Sequence, residues 1–251
     1  MRVLLTNDDG IHSAGIQALW QQFSSVAEVT VVAPDSEKSA TSQAITVHQP
    51  IYVDEQVIEQ AGVRGWRVVG TPTDCVKIAL ETNIMEPPDL IVSGINHGPN
   101  IGTDVLYSGT VSAAIEGALH GIPAIAVSLD ARENFDFTAA AQFAVTLARQ
   151  FIQNPLPPRT LLNVNVPALP PDQIAGVSIT KLGRREYRNA FHPHQDPRGR
   201  IYYWMSGEIV DCDNEPDTDV AAVKAGRISV TPIHFDLTKY NLMDALTSWK
   251  L

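Results

Sequence analysis

Basic residues are scarce in this chain of 251 residues. Lysine and arginine number 18 against 28 aspartates and glutamates, which gives a formal net charge of −10 at pH 7. Proteins that wrap DNA or RNA need a basic surface to displace counterions from the phosphates. The composition therefore argues against a nucleic-acid polymer as partner.

Long apolar runs and paired cysteines are also missing. No uninterrupted apolar stretch approaches the roughly 20 residues of a membrane-spanning helix, and the first residues turn acidic at Asp8, too early for a signal peptide. We therefore expect a cytoplasmic protein without membrane contact. Cys75 and Cys212 lie far apart and form neither a CxxC motif nor a disulfide framework, so buried or incidental thiols are the simpler interpretation.

The chain does contain short apolar runs that alternate with amphipathic stretches. The runs are typical of parallel strands buried on both faces, and the stretches have apolar residues at helical spacing. One helix is expected to start at Thr71, with Pro72 in its first turn. This alternation predicts an α/β fold, a doubly wound, mostly parallel Rossmann-like sheet with helices on both faces. The apolar runs are residues 3–5, 29–33, 90–92, 124–127 and 161–166.

The character of the chain changes near residue 180. Residues 1–180 are the predicted Rossmann-like catalytic core, and residues 181–251 are a C-terminal extension. Turn residues at 196–200 precede the aromatic run Tyr202-Tyr203-Trp204, which predicts a projecting hairpin. A further strand is expected near residues 228–231 and a terminal helix near residues 242–249.

Four polar segments follow apolar runs, at the sheet edge where open parallel sheets bind ligands. The first contains Asp8 and Asp9. Adjacent carboxylates repel each other unless a proton or a cation neutralises them, and hard divalent ions such as Mg²⁺ or Mn²⁺ take oxygen ligands. A solvated acidic turn before the next helix explains the same pair equally well.

The next two segments carry hydroxyl and amide groups. A serine hydroxyl in residues 33–42 is a candidate metal or phosphate ligand and Lys38 a candidate phosphate partner, although loops are commonly built from such residues. In residues 93–102, the amides of Asn96 and Asn100 stand beside glycines and can offer an oxygen to a metal or an N–H to an anion. His97 has no companion His or Cys cluster, so a position in solvent or outside the ligand shell suits it better than zinc binding.

The fourth segment, Ser108-Gly109-Thr110, opens a predicted helix. Such a start presents backbone N–H groups and the positive end of the helix dipole to an anion, although an ordinary serine N-cap explains the motif too. All four segments fall at one edge of the predicted sheet. Together they indicate metal-assisted hydrolysis of a phosphate ester, in which helix N–H groups hold the phosphate oxygens.

Three other functions fit parts of this pattern. A phosphatase with Asp8 as nucleophile needs a second aspartate two positions on, where Gly10 stands. A nucleotide-binding module without turnover has little use for an acidic pair beside a phosphate. A dinucleotide-binding oxidoreductase fits the sheet, but the chain lacks GxGxxG after the first strand.

The order of these motifs resembles the SurE family, stationary-phase survival proteins that act as metal-dependent nucleoside monophosphate phosphatases. The resemblance covers nearly the whole chain. The matching segments are residues 4–10, 32–39, 70–76, 93–100, 107–111, 196–204 and 218–219.

The resemblance implies a set of site residues around one divalent metal ion per subunit, Mg²⁺ or Mn²⁺. Asp8 and Asn96 would be catalytic, and Ser108, Gly109 and Thr110 would lie at the phosphate. His97 is a candidate proton donor to the leaving group. The implied metal ligands are Asp8, Asp9, Ser39 and Asn96.

The resemblance also implies substrates and assembly. The substrates would be nucleoside 5′-monophosphates, and 3′-monophosphates in addition. The protein would be a homodimer or homotetramer that exchanges its C-terminal extension between subunits. One departure from the family pattern stands out, because Ala44, preceded by Gln43, occupies the position of a second serine. If that hydroxyl helps to bind substrate, turnover or specificity would differ here.

Overall fold

A computed structural model describes residues 1–58, 63–131, 136–212 and 214–249. Within these residues, the helices are α1 (Ala14–Phe23), α2 (Pro72–Glu81), α3 (Gly109–Leu119), α4 (Thr138–Gln153), α5 (Asp219–Lys224) and α6 (Met243–Thr247). The strands are β1 (Arg2–Thr6), β2 (Glu28–Pro34), β3 (Val53–Gln56), β4 (Val63–Val68), β5 (Leu90–His97), β6 (Ala124–Asp130), β7 (Leu161–Pro167), β8 (Val177–Ile179), β9 (Arg185–Arg188), β10 (Phe191–Gln195), β11 (Ile201–Met205), β12 (Glu208–Asp211) and β13 (Ile228–Ile233).

The apolar runs assemble into a nine-stranded sheet of order β3-β4-β2-β1-β5-β6-β7-β13-β8. Strands β4, β2, β1, β5, β6 and β7 are parallel to one another. The edges depart from this direction, because β3 runs antiparallel to β4 and β13 antiparallel to β7. The apolar runs without polar alternation are therefore parallel strands that are buried on both faces, as predicted.

Helices cover both faces of the sheet, which confirms the predicted α/β doubly wound fold. Helices α1 and α4 pack on one face through residues such as Leu19 and Ala144. Helices α2 and α3 pack on the other face through Val76 and Val111. Helix α2 starts as predicted, with a capping box between Thr71 and the side chain three residues on.

The middle of the sheet contains its topological switch point. From β1 the chain moves outward to β2 on one side, whereas β5 lies on the other side of β1. Thr6, the last residue of β1, lies opposite Ser93 in β5, and β5 continues to His97. A crevice at such a switch point is the usual ligand site of an open α/β sheet.

The predicted C-terminal hairpin consists of two short ladders in series. Strand β9 pairs with β12, and beyond them β10 pairs with β11 around the turn at residues 196–200. The chain then returns to the main sheet, where β13 pairs antiparallel with β7. The sheet thus uses residues on both sides of position 180, and exchange of the extension between subunits stays a prediction. Helix α6 forms within the segment expected for it.

Two further properties concern the described residues only. Both cysteines are free, and Cys75 is buried. No helix in the described ranges combines the length and the apolar character needed to cross a bilayer.

Candidate active site

The turn that follows β1 is built around the buried side chain of Asn7. Its amide nitrogen donates to the carbonyl of Gly10 at 3.0 Å and to Oγ of Ser13 at 2.7 Å, and its amide oxygen accepts from the Gly10 N–H at 3.2 Å. Gly10 has a positive φ of 98°, a conformation that glycine adopts without strain. Asn7 thereby closes the turn that carries Asp8 and Asp9.

Asp8 lies directly against the first turn of α3. The hydroxyl of Thr110 donates to Asp8 Oδ1 at 2.6 Å, and the Asp8 residue is only 4% exposed. A Cβ atom on Gly109 would lie 2.8 Å from Asp8 Cβ, closer than side chains normally approach. The close contact therefore requires glycine at position 109. The structure brings together three of the predicted site residues, Asp8, Gly109 and Thr110.

The two carboxyl groups are poorly solvated. Burial raises the pKa of Asp8, and the hydrogen bond from Thr110 partly offsets this. Burial, followed by the neighbouring charge of Asp8, raises the pKa of Asp9 to about 6, against a smaller lowering by His97. The ring nitrogen Nδ1 of His97 lies 2.7 Å from Asp9 Oδ1, whose side chain is 6% exposed. A solvated acidic turn is therefore the wrong interpretation of this pair.

Ser39 lies on the loop after β2, and Asn96 lies near the carboxyl end of β5. The Asn96 amide nitrogen donates to the Gly98 carbonyl at 2.8 Å, so the amide oxygen is the atom that the side chain would offer to a cation. Ser39 is exposed, and its hydroxyl donates to Glu37 Oε1 at 2.6 Å. The N–H of Lys38, next to Ser39 in the chain, donates to the Asp8 carbonyl at 2.7 Å, which places this loop beside the acidic pair. Within the described residues, hydrogen bonds link neither Ser39 nor Asn96 to the acidic pair.

Ser108 forms the N-cap of α3, as its simpler interpretation predicted. Its Oγ accepts from the N–H of Val111 at 3.1 Å, and its carbonyl accepts from the Ser112 hydroxyl at 2.7 Å. The Ser108 side chain is thus committed to the helix. An anion at this end of α3 would be held mainly by the backbone of the first turn.

A buried asparagine network lies next to Thr110, and it was not predicted from the sequence. The Asn100 amide nitrogen donates to Ser128 Oγ at 2.8 Å and lies 3.5 Å from Thr110 Oγ1. The Asn100 backbone in turn binds the side chains of Asn163 and Asn165 on β7, at 2.8 to 3.1 Å. Two asparagines inside an otherwise apolar strand were the available signal, because buried amides need partners.

A second group of possible ligands lies between α2 and α3. Glu81, Glu116 and His120 each place one ligand atom within 4.8 Å of the others. The ammonium of Lys77 lies 2.6 Å from Glu81 Oε1 and 3.5 Å from Glu116 Oε1. Lys77 thus already supplies a positive charge to this cluster. Asp8 and Asp9 are poorly solvated and would be stabilised by a bound cation. The candidate metal centre is the acidic pair.

The fold and the site together define the class of this protein. A carboxylate pair at the switch point of a doubly wound sheet, beside a helix start, suits an α/β enzyme that binds a cation and an anionic substrate there.

Comparison with known proteins identifies the family. The family model described as survival protein SurE matches residues 3–189. A 5′-nucleotidase SurE from Heliobacterium modesticaldum is 55% identical over 249 residues, spanning 99% of this chain and 92% of the relative. Another from Carboxydothermus hydrogenoformans is 52% identical over 253 residues, spanning 99% and 96%. The crystal structure of the SurE protein from Aquifex aeolicus matches with a TM-score of 0.85 and 39% identity, covering 98% of both chains. The chain belongs to the SurE family, and the predicted resemblance is confirmed.

Proposed function

We propose that this protein is a 5′-nucleotidase, a metal-dependent phosphomonoesterase that converts nucleoside 5′-monophosphates to nucleoside and phosphate. Nucleoside 3′-monophosphates are further substrates in this proposal. The observation that carries it is the pair Asp8 and Asp9, buried at the switch point against the first turn of α3. Relatives that share about half of their residues with this chain are named 5′-nucleotidases, which supports the assignment.

The donor groups around the pair suit a divalent cation. Asp8 and Asp9 offer carboxylate oxygens, Asn96 an amide oxygen and Ser39 a hydroxyl, an all-oxygen set of the kind that Mg²⁺ and Mn²⁺ prefer. In this proposal the four side chains hold one Mg²⁺ or Mn²⁺ ion per subunit. When bound, such an ion polarises the phosphoryl group and makes nearby water more acidic.

The chain's own groups would orient the phosphate. Ser108, Gly109 and Thr110 form the start of α3, whose backbone dipole attracts the negative oxygens of the substrate. Thr110 also orients the Asp8 carboxylate through its hydroxyl. Asp8 and Asn96 are the proposed catalytic residues, since they lie at the carboxyl ends of the two strands that meet at the switch point.

Hydrolysis forms a bond from water oxygen to phosphorus, breaks the ester P–O bond and requires a proton on the departing nucleoside oxygen. His97 is the proposed donor of that proton. Its Nδ1 lies 2.7 Å from Asp9 Oδ1, and this contact would hold the ring with Nε2 toward the leaving group.

A phosphate-release assay tests the function. The purified protein should release phosphate from AMP or GMP with added Mn²⁺ or Mg²⁺, and a chelator should stop the reaction. A panel that includes 3′-AMP ranks the substrates. Turnover that persists in chelator would overturn the metal requirement, and no release with any metal would overturn the nucleotidase assignment.

The proposal also includes a cytoplasmic location for the protein. Fractionation of cells would test this location.

We also infer that the protein is a homodimer or homotetramer in which the C-terminal extension contacts another subunit. The hairpin carries large apolar side chains that are more than 60% exposed, among them Tyr203, Trp204 and Met205. Trp249, in the segment around α6, is also more than 60% exposed. Apolar surface of this kind is typical of an interface.

A further inference from the structure

The loop between β2 and β3 carries Ser39, and its backbone is strained. Ala40 and Ser42 have φ values of 55° and 50°, a region that residues other than glycine rarely adopt. Such conformations persist only where surrounding contacts hold them. The contacts of this loop therefore determine where Ser39 lies.

Two of these contacts attach the loop to the candidate active site. The N–H of Lys38 donates to the carbonyl of Asp8 at 2.7 Å. The N–H of Ser42 donates to the Tyr107 carbonyl at 3.1 Å, and the Ser42 hydroxyl donates to the Leu106 carbonyl at 2.9 Å. The loop thus runs from the acidic pair to the segment just before α3.

The third attachment comes from α2. Asp74 is only 2% exposed and accepts two hydrogen bonds from Thr46, from its N–H at 2.9 Å and from its hydroxyl at 2.6 Å. Thr71 adds a bond from its hydroxyl to the Ala44 carbonyl at 2.7 Å. The far end of the loop is therefore held by the first turn of a rigid helix.

Capping of α2 does not account for all of these bonds. The capping box uses Asp74 Oδ2, which accepts from the Thr71 N–H at 2.9 Å, and Thr71 Oγ1, which accepts from the Asp74 N–H at 3.0 Å. Asp74 Oδ1 accepts from the Thr46 N–H instead. Oδ2 thus serves both the helix cap and the Thr46 hydroxyl, whereas Oδ1 binds the loop alone.

We propose that Asp74 is a positioning residue of the candidate active site, which acts through Thr46 to hold the loop so that Ser39 can contribute to metal binding. The kinetic part of this inference rests on the proposed function. The structural part, loop order and metal affinity, can be measured without turnover.

The test removes the Thr46 hydroxyl while leaving the helix cap intact. Thr46→Val loses the bond to Asp74 Oδ2, and Thr46→Ser keeps it. Thr73→Val is the matched control, because Thr73 lies on the same turn of α2 and its hydroxyl has no hydrogen-bond partner among the described residues. Each variant is compared with wild type by calorimetric titration with Mn²⁺, amide hydrogen exchange and phosphate release from AMP.

Thr46→Val should weaken Mn²⁺ binding about tenfold, as expected for loss of one hydrogen bond to a charged group. The amides of residues 42–46 should exchange faster, and the Mn²⁺ concentration for half-maximal activity should rise in parallel. Thr46→Ser and Thr73→Val should match wild type in all three measurements. Unchanged Mn²⁺ affinity and exchange in Thr46→Val would overturn the positioning role. A wild type that hydrolyses no nucleotide would overturn the proposed function, while exchange and Mn²⁺ affinity would still decide the role of Asp74.

Discussion

At the scale of single residues, the cost of burying charge explains the chemistry of the acidic pair. A carboxylate that leaves water loses its hydration, and a second one beside it adds repulsion. The pKa values of Asp8 and Asp9 both stay raised, so Thr110 and His97 offset only part of the cost of burying these charges. A bound cation would stabilise both charges. We therefore interpret the pair as part of the active site and not as a contribution to the stability of the fold.

The first prediction concerns Asp8→Asn. The variant should lose activity by about 100-fold or more, a loss typical of removing a charged group that acts on the transition state. It should stay folded, because the asparagine oxygen still accepts from Thr110 and a buried charge disappears. Phosphate release, thermal unfolding and calorimetric Mn²⁺ titration measure these effects. Asp136→Asn, at an exposed carboxylate before α4, is the control. Near wild-type Mn²⁺ affinity in Asp8→Asn would show that the ligand assignment is wrong.

The second prediction concerns Gly109→Ala. In the first turn of α3, helix propensity alone would favour alanine by up to about 1 kcal/mol. The added Cβ would lie 2.8 Å from Asp8 Cβ, so we expect the opposite sign, a loss of about 1–3 kcal/mol in the free energy of unfolding. Displacement of Asp8 should also weaken Mn²⁺ binding. Denaturant unfolding and calorimetry measure the two effects, and a stabilised variant with normal Mn²⁺ affinity would contradict the close contact.

The sequence predicted Asp8 from its place just after a strand, and Gly109 and Thr110 from their place at a helix start. The three could be assigned to one site because parallel strands bring their carboxyl ends to one edge of the sheet. The bonds among them could not be predicted, since they depend on how α3 packs. The link between Asn100 and Asn165 was missed for a similar reason, because the two residues lie 65 positions apart and meet only through the pairing of β5 with β6 and of β6 with β7.

At the scale of elements, the buried strands were predicted better than the edge strands. The runs in β1, β2, β6 and β7 are apolar because helices cover both faces. Strand β4 contains Arg64, Trp66 and Arg67 at the edge half of the sheet, so its pattern is interrupted by charge and was not recognised. Strand β5 continues beyond its apolar run to His97, because polar residues there line the site.

The junction of α2 and α3 gives the third prediction. The Glu116 side chain is 8% exposed, and Lys77 supplies a nearby positive charge. Lys77→Met should lower the free energy of unfolding by about 1–2 kcal/mol, because a largely buried carboxylate loses that compensation and Lys77 itself is partly screened by solvent. Denaturant unfolding at neutral pH measures this.

Lys224→Met provides the control for that prediction, since Lys224 is an exposed lysine in the last turn of α5. Its effect should stay within about 0.5 kcal/mol. If Lys77→Met is as stable as wild type, then His120 and Gln43, which also contact Glu116, carry the compensation instead.

At the scale of the whole molecule, the hairpin lacks a core of its own. Strands β10 and β11 form a two-stranded ladder, and such a ladder alone is marginally stable in water. Its apolar side chains point to both faces, with Tyr203 and Met205 on one and Trp204 on the other. Nothing about folding within one chain requires this surface, whereas contact with a second copy would bury it.

The last prediction tests that contact. A double variant, Tyr203→Glu with Met205→Lys, places opposite charges on one face of the hairpin and leaves the net charge unchanged. Wild type should sediment as a dimer or tetramer at micromolar concentration, and the double variant should shift toward monomer with a lower melting temperature. Arg198→Glu in the exposed hairpin turn changes charge without removing apolar surface, so it should behave as wild type. A wild type that sediments as a monomer at tens of micromolar would contradict the interface. If the double variant keeps the wild-type mass, the contact between subunits does not depend on this face, and the segment around Trp249 becomes the surface to vary next.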